Sequence, residues 1–158
     1  VLHILHDALG DRLSPPAIMG WLESQKLLGK KGGKGIYLYG ADGKRAGFNP
    51  DLVAALNVTA KPKSRSEIQS RLELVIINEA ARCFEEGVVA DAASIDLAMV
   101  YGTGFAPFRG GPLRRADQLG LRIVNQKLTL LAQVAGGNFQ PAEVIGKLAA
   151  QRATFYGK

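Results

Sequence analysis

The sequence predicts an all-α protein, and three observations lead to that class. Apolar residues recur at helical spacing over most of the chain, capping residues and glycines separate these stretches, and no strand alternates with helices as a parallel sheet requires. Of the 158 residues, 47% are hydrophobic and 22% are charged, which is the composition of a folded protein rather than a disordered one.

Composition and charge narrow the functions that the chain can have. Cys83 is the only cysteine, so an intrachain disulfide is excluded and a reducing compartment is expected. No apolar run reaches the about 18 residues that a membrane-spanning helix needs. The net charge of +6 suits an anionic partner. Because no aromatic residue interleaves the lysines of residues 26–34, we favour a solvated basic face or a contact with phosphate groups, and we expect no nucleic-acid binding.

Two segments at opposite ends of the chain resemble each other. A displacement of 126 positions places Leu2 on Leu128 and Leu5 on Leu131. The same displacement matches Gly10 with Gly136, Pro15 with Pro141, Gly20 with Gly146, Leu22 with Leu148 and Gln25 with Gln151. Chance likeness between two amphipathic helix pairs is the alternative to a true repeat. A repeat predicts that residues 1–60 are the end of a truncated first unit plus a linker, and that residues 61–158 are a second unit.

The first unit is predicted to hold short helices around a glycine-rich segment. A helix ends at Gly10, because glycine is favoured after helix ends, and Pro15 and Pro16 open the next helix. Residues 29–35 include four glycines, which no helix tolerates. The remaining elements follow in chain order: an extended segment over residues 36–39, a helix from Asn49 and Pro50 to Leu56, and a linker over residues 59–64.

The strongest helical segment covers residues 65–86, with Ser64 or Ser66 as its cap and Gly87 at its end. Apolar residues surround most of this helix, which predicts burial within a bundle or against a partner. One stripe consists of Ile68, Leu72, Val75, Ile76, Glu79 and Cys83. Because a buried carboxylate needs a partner, we expect Glu79 to form a structural ion pair with an arginine, and a role as general base is the less favoured alternative.

Further helices are predicted in the second unit. Asp91 caps a helix from Ala92 to about Val100, and a glycine-rich loop follows over residues 101–112. Three more helices then run from residue 111 or 112 to Leu119, over residues 121–135 and over residues 141–151. Free N–H groups at the start of the first of these helices point at residues 109–111. These N–H groups could bind an anion, or the segment could be only a tight turn between two helices, and we favour the tight turn.

Two glycine-rich segments resemble nucleotide loops without meeting their requirements. Gly102 and Gly104 lack a preceding strand, and position 107 is a proline where a dinucleotide loop needs its third glycine. Lys34 is followed by Gly35 and not by the Ser or Thr of a Walker loop. We therefore predict no cofactor-binding residue in this chain.

The remaining reactive side chains predict no metal site and no catalytic residue. His3 and His6 have neither an acidic residue nor a cysteine pair at metal-ligand spacing. Cys83 lies on an apolar stripe, so we interpret it as a small core residue rather than a nucleophile.

Three stretches carry a resemblance to a known family. LGKKGGKGIYLY, at residues 28–39, resembles the end of the first C-terminal domain of 3-hydroxyacyl-CoA dehydrogenases. NEAARCFEEGV, at residues 78–88, resembles the long helix of the second such domain, and DLAMVYGTGFAPFRGGPL, at residues 96–113, is similar to its loop motif. The doubled arrangement is similar to that of the multifunctional α-subunit of fatty-acid oxidation complexes, which also carries enoyl-CoA hydratase.

The resemblance implies a fold and a function. The fold is a helical bundle of the 3-hydroxyacyl-CoA dehydrogenase C-terminal type with a partial first repeat. The parent enzyme uses NAD to oxidise 3-hydroxyacyl-CoA in fatty-acid β-oxidation, and its NAD site and His–Glu pair lie in upstream domains. The resemblance implies that this chain helps to enclose acyl-CoA, and we expect it to be inactive alone. The tyrosine that contacts substrate in the family maps onto Tyr101, which would otherwise be interpreted as a core aromatic residue.

Partners and location follow from the same resemblance. The expected partners are the upstream Rossmann and hydratase domains, the acyl-CoA substrate and a thiolase β-subunit. The sequence does not end in a peroxisomal Ser-Lys-Leu, which favours a bacterial, cytoplasmic parent. Apolar surface left by the truncated first repeat predicts self-association. A purely structural docking module is the main alternative function, and a basic nucleic-acid binder is the least favoured one.

Overall fold

A computed structural model describes residues 2–13, 15–57 and 62–157, which form two compact units, Val1–Pro62 and Lys63–Lys158. The described ranges contain eight α-helices and one two-stranded sheet, so the predicted all-α class is confirmed with one small exception. No described helix combines the length and apolarity needed to cross a membrane. The assignment of the two units to a truncated and a complete repeat stays a prediction.

The first unit begins with two short helices, α1 (Leu2–Leu9) and α2 (Ala17–Ser24). The helix end predicted at Gly10 is confirmed, because a 3₁₀ turn over Gly10–Leu13 follows α1. Pro16 is the residue before α2 and not part of it. We predicted that the helix begins with the two prolines, but it begins at Ala17, because the backbone at Pro16 is still extended.

A small hairpin follows, with β1 (Tyr37–Tyr39) antiparallel to β2 (Arg45–Phe48). The strand predicted at residues 36–39 is confirmed, whereas the sequence did not predict its partner. The third helix of the unit, α3 (Pro50–Leu56), begins after the buried cap Asn49, as predicted. The Asn49 amide also donates to the carbonyl of Gly35 (2.9 Å), which ties the glycine segment to the helix start.

The second unit is a bundle of five helices within the described residues: α4 (Arg65–Glu85), α5 (Ala92–Thr103), α6 (Pro112–Leu119), α7 (Leu121–Ala135) and α8 (Glu143–Gln151). Its core combines side chains of all five helices, among them the fully buried Ile77, Leu113, Leu128 and Ile145. The predicted cap Ser64 is confirmed, because its hydroxyl accepts the amide of Glu67 (3.1 Å).

The buried face of α4 differs from the predicted stripe. The fully buried positions include Ile77 and Asn78, whereas Ile68 and Leu72 are exposed. The prediction that Glu79 is buried is wrong: its side chain is 50% exposed, although it does pair with Arg82 (3.5 Å). When a helix is apolar on most sides, periodicity does not determine which side faces the core. The predicted buried stripe was therefore about one residue away from the stripe that is buried.

The glycine-rich loop of the second unit is shorter than predicted. Helix α5 continues through Tyr101 and Gly102 to Thr103, so the loop begins only at Gly104. A short 3₁₀ turn over Pro107–Arg109 then leads to α6. The extension matters because it places Tyr101 on a helix and not on a loop.

Residues 2–27 and 128–153 share their local structure. Each segment consists of a helix, a 3₁₀ turn and a second helix, in positions related by the displacement of 126. Lys26 and Arg152, which the displacement pairs, both adopt the left-handed conformation with φ of 52° and 53°. The amides of Leu27 and Ala153 close the two helix ends with equivalent bonds of 2.9 Å. Whether this likeness reflects a repeat stays a prediction.

Candidate functional site

Tyr101 lies on the last turn of α5 and its side chain is 85% exposed. The core-aromatic interpretation of this residue is therefore wrong. Helix α5 ends where Gly104 turns into the left-handed conformation, and the amide of Phe105 bonds the carbonyl of Met99 (3.2 Å). Leu97, one turn before Tyr101, is exposed as well. This end of α5 thus presents an apolar surface together with a phenol hydroxyl.

A buried carboxylate joins α5 to α6. Asp96 is 2% exposed, and its two oxygens accept the amides of Leu113 (2.7 Å) and Arg114 (2.8 Å). These are the N–H groups at the start of α6 that the sequence offered as an anion site. The chain's own carboxylate occupies that position, so the helix start is not open to an external anion.

Gly111 allows this close contact between α5 and α6. Its φ is +105°, and a Cβ atom at this position would lie 2.3 Å from both Cβ and Cγ of Asp96. No other residue fits without moving the buried carboxylate. The glycine therefore fixes how closely the loop after α5 approaches Asp96.

The end of the chain is fastened to the same place. Tyr156 donates its hydroxyl to Asp96 (2.7 Å), and Asp117 accepts the amides of Phe155 (3.0 Å) and Tyr156 (3.2 Å). Arg114 lies 3.7 Å from the centre of the Tyr156 ring. Burial, with the bond to Asp96 adding to it, holds the pKa of Tyr156 well above its ordinary value. Burial also raises the pKa of Asp117, against the two amide bonds.

A groove borders α4 on the side of the α5–α6 loop. Glu73 on α4 accepts hydrogen bonds from Arg109 and from Nε of Arg115 (2.8 Å). The groove has a volume of about 540 Å³ and an apolar side formed by Leu72, Ile76 and Phe105. Because Glu73 neutralises only part of the charge of two arginines, the groove keeps a cationic edge beside an apolar wall.

The family of the chain follows from a comparison with known proteins. The family model for the 3-hydroxyacyl-CoA dehydrogenase, C-terminal domain, matches residues 68–154. The chain belongs to this family. The match covers the bundle from α4 to the segment after α8, which includes Tyr101 and Asp96. The family implied by the sequence motifs is therefore confirmed.

Curated relatives agree with that membership. A protein of Shewanella amazonensis named fatty acid oxidation complex subunit alpha is 37% identical over 155 residues, and one of the same name from Shewanella frigidimarina is 36% identical over 157 residues. These alignments cover 97% and 98% of this chain and 22% of each relative. The chain thus corresponds to a limited part of its relatives.

The residues that the structure describes do not fit the dinucleotide that the family implies. The one sheet of the described residues is antiparallel and has two strands, whereas a dinucleotide loop follows a strand of a parallel sheet. Gly102 lies inside α5, so its N–H group takes part in the helix. Among the described residues, no three His, Cys, Asp or Glu side chains are grouped so that they could hold a metal ion.

Sequence reasoning missed the residue that fastens α4 to the segment before α8. Asn78 is fully buried, donates to the carbonyls of Asn138 (3.2 Å) and Gln140 (2.8 Å), and accepts the amide of Ala142 (2.8 Å). Arg82 adds a bond to the Gln140 carbonyl (2.7 Å). The signal that could have identified it was an asparagine directly after the apolar run of residues 74–77, because a polar group buried there has to be bonded.

Proposed function

We propose that this chain is the C-terminal helical part of an NAD-dependent 3-hydroxyacyl-CoA dehydrogenase of fatty-acid β-oxidation. In the parent it packs two helical repeats and helps to enclose acyl-CoA, with Tyr101 in contact with the substrate. The chain transfers no hydride alone, because NAD, the His–Glu pair and the hydratase activity belong to other domains of the parent.

The exposure of Tyr101 is the observation that carries the substrate contact. An aromatic side chain that is 85% exposed costs solubility and adds nothing to the core. A helix end also holds such a side chain more firmly than a loop does, so little order has to be gained on binding. The ring offers a face for an acyl chain and the hydroxyl a bond to a carbonyl.

Three carboxylates of the second unit that hold neighbouring segments support a role without catalysis. Asp96 and Asp117 hold backbone amides, and Glu73 holds two arginines. A general base must reach its proton with a free lone pair in an accessible site. Each of these carboxylates is engaged in holding two segments together.

The proposed partners rest on the names of the relatives. Those proteins are alpha subunits of a fatty acid oxidation complex, and both come from bacteria of the genus Shewanella. We infer a thiolase β-subunit as the partner of the parent and the bacterial cytoplasm as its location. The shared local structure of residues 2–27 and 128–153 supports the division into a partial first repeat and a complete second repeat.

A purely structural docking module is the second candidate. Four apolar residues of α4 and α7 favour it, because they are exposed in the second unit: Ile68, Leu72, Leu130 and Val134. Such a face is covered by another protein surface more often than by solvent. In this case the isolated chain self-associates and binds no acyl-CoA.

Calorimetric titration with acetoacetyl-CoA separates the two candidates. Binding by the intact chain should weaken roughly three- to ten-fold in Tyr101→Phe, which loses one hydrogen bond, and further in Tyr101→Ala, which also loses the ring. Phe108→Ala is the matched control, because Phe108 is an equally exposed aromatic residue (86%) near the same helix end. The control should stay within about two-fold of the original affinity.

Each outcome has a distinct meaning. Equal losses in Tyr101→Ala and Phe108→Ala would contradict a specific contact with Tyr101. An absence of binding, combined with dimers in light scattering, would favour the docking module. Formation of NADH from 3-hydroxybutyryl-CoA and NAD by the chain alone would contradict the proposal that the chain has no catalytic centre.

A further inference from the structure

The hairpin of the first unit exposes an aromatic platform. Tyr37 and Phe48 face each other across β1 and β2, with ring centres 4.9 Å apart. The guanidinium of Arg45 lies 4.5 Å from the centre of the Tyr37 ring. Phe48 is 66% exposed, so a flat ligand can reach its ring. The sequence separates these aromatic residues from the lysine cluster, and the fold brings the hairpin next to it.

Lys30 links the lysine cluster to the hairpin. A Cβ atom placed on Gly43 would lie 2.9 Å from Cε and 3.4 Å from Nζ of Lys30, so the ammonium group rests against the hairpin turn. Lys31 follows it in the same short turn, Lys30–Gly32, and is exposed. Neither lysine forms an ion pair with an acid of the described residues.

Two other lysines near the hairpin already have anionic partners. Lys34 pairs with Asp51 (2.5 Å) and Lys44 with Asp42 (3.5 Å). Beside the hairpin, the unneutralised charge therefore includes Lys30, Lys31 and the stacked Arg45. A cationic group beside an exposed aromatic ring is the combination that binds a nucleobase joined to phosphate.

We propose that this hairpin binds a phosphorylated adenine nucleoside, with the base against Phe48 and the phosphates near Lys30 and Lys31. The inference rests on the proposed function, because coenzyme A carries such a nucleoside at the end remote from its thioester. The platform has two rings on strands of three and four residues, which is room for one base. A nucleic acid strand needs several successive platforms.

The test uses the intact chain and 3′-phosphoadenosine 5′-phosphate, which has no acyl group, in calorimetry at low salt. Lys30→Gln with Lys31→Gln should weaken binding roughly ten-fold, because two phosphate contacts are lost. Phe48→Leu should weaken it roughly five-fold or more by removing the stacked ring. Lys127→Gln is the control, since it removes one exposed lysine of the second unit. Circular dichroism confirms that each variant is folded.

Comparison ligands decide between this proposal and its rivals. Adenosine and inorganic pyrophosphate should each bind more weakly than the complete probe, because each offers only half of the contacts. Equal binding of pyrophosphate, with no effect of Phe48→Leu, overturns the base contact. Tighter binding of a thymidine oligonucleotide, or no binding of the probe at all, overturns the proposal. Tyr101 is not part of this site, so either failure leaves the acetoacetyl-CoA test unaffected.

Discussion

Replacing Asn78 by alanine should cost the second unit more than about 3 kcal/mol of unfolding free energy. The side chain makes three hydrogen bonds to the segment before α8, at 2.8 to 3.2 Å, and is fully buried. Each bond contributes about 1 kcal/mol net, and the unbonded amide of Ala142 adds a desolvation cost. The cavity left by the amide group adds a smaller amount. Because small domains have only about 5–15 kcal/mol in total, the loss is large.

Urea unfolding monitored by circular dichroism at helical wavelengths measures this loss. The midpoint should fall with little change in the slope, because the surface exposed on unfolding stays the same. Trp21, the only tryptophan, lies in the first unit, and its fluorescence provides an internal reference. Gln69→Ala, on an exposed position of α4, should change stability by less than about 0.5 kcal/mol. A loss below about 1 kcal/mol for Asn78→Ala would refute the assigned role.

Two further substitutions test the contact around Asp96. Gly111→Ala should destabilise the second unit by more than about 3 kcal/mol in thermal unfolding, because Gly111 has a φ of +105° and a Cβ atom there would collide with Asp96. Gly102→Ala is the control, and it should be neutral or stabilising because Gly102 is helical and has open space around it. Tyr156→Phe should remove a pH dependence of the unfolding free energy at alkaline pH. Burial and the bond to Asp96 raise the pKa of Tyr156 in the folded protein. The contribution of Tyr156 to stability is therefore complete below its ordinary pKa of 10.0 and is lost as the pH rises through the higher value. An unchanged alkaline unfolding profile in Tyr156→Phe would contradict that bond.

Helices were the part of the fold that the sequence could predict. The first residues of α3, α4 and α6 follow from local signals, which are the Asn49 cap, the Ser64 cap and the glycine before Pro112. Local signals suffice there because capping depends on neighbours in the chain. The end of α5 was wrong by three residues, because Gly104, and not Gly102, adopts the left-handed conformation that ends the helix.

Features that depend on distant contacts could not be predicted. Strand β2 reads Arg-Ala-Gly-Phe, which has no strand pattern, and it forms only because β1 supplies its hydrogen bonds. Asp96 and Gly111 lie 15 positions apart, and nothing in their spacing shows that one excludes a side chain on the other. Tyr101 was found through the family motif, since an exposed aromatic residue has no signature in periodicity.

Residues 2–27 and 128–153 differ at one backbone N–H group, and this difference suggests a last test. Ala142, whose amide bonds Asn78, corresponds to Pro16, which has no N–H group. Both residues precede a helix, with φ, ψ of −59°, 140° and −58°, 140°. Proline therefore fits the backbone at residue 142, but its Cδ atom would take the place of the amide proton that Asn78 Oδ1 accepts. Ala142→Pro thus removes one hydrogen bond and also crowds that oxygen.

Ala142→Pro should destabilise the second unit by more than about 1 kcal/mol, because the lost bond and the crowding of Asn78 Oδ1 outweigh the reduced entropy of the unfolded chain. In an Asn78→Ala background the same change should be neutral or slightly stabilising, since no partner remains to be lost. Urea unfolding of the four proteins of this cycle gives the coupling directly. An equal cost in both backgrounds would show that backbone strain at residue 142, and not the contact with Asn78, sets the cost of the proline. The predicted coupling would instead show that the cost of proline at residue 142 lies in the contact with Asn78.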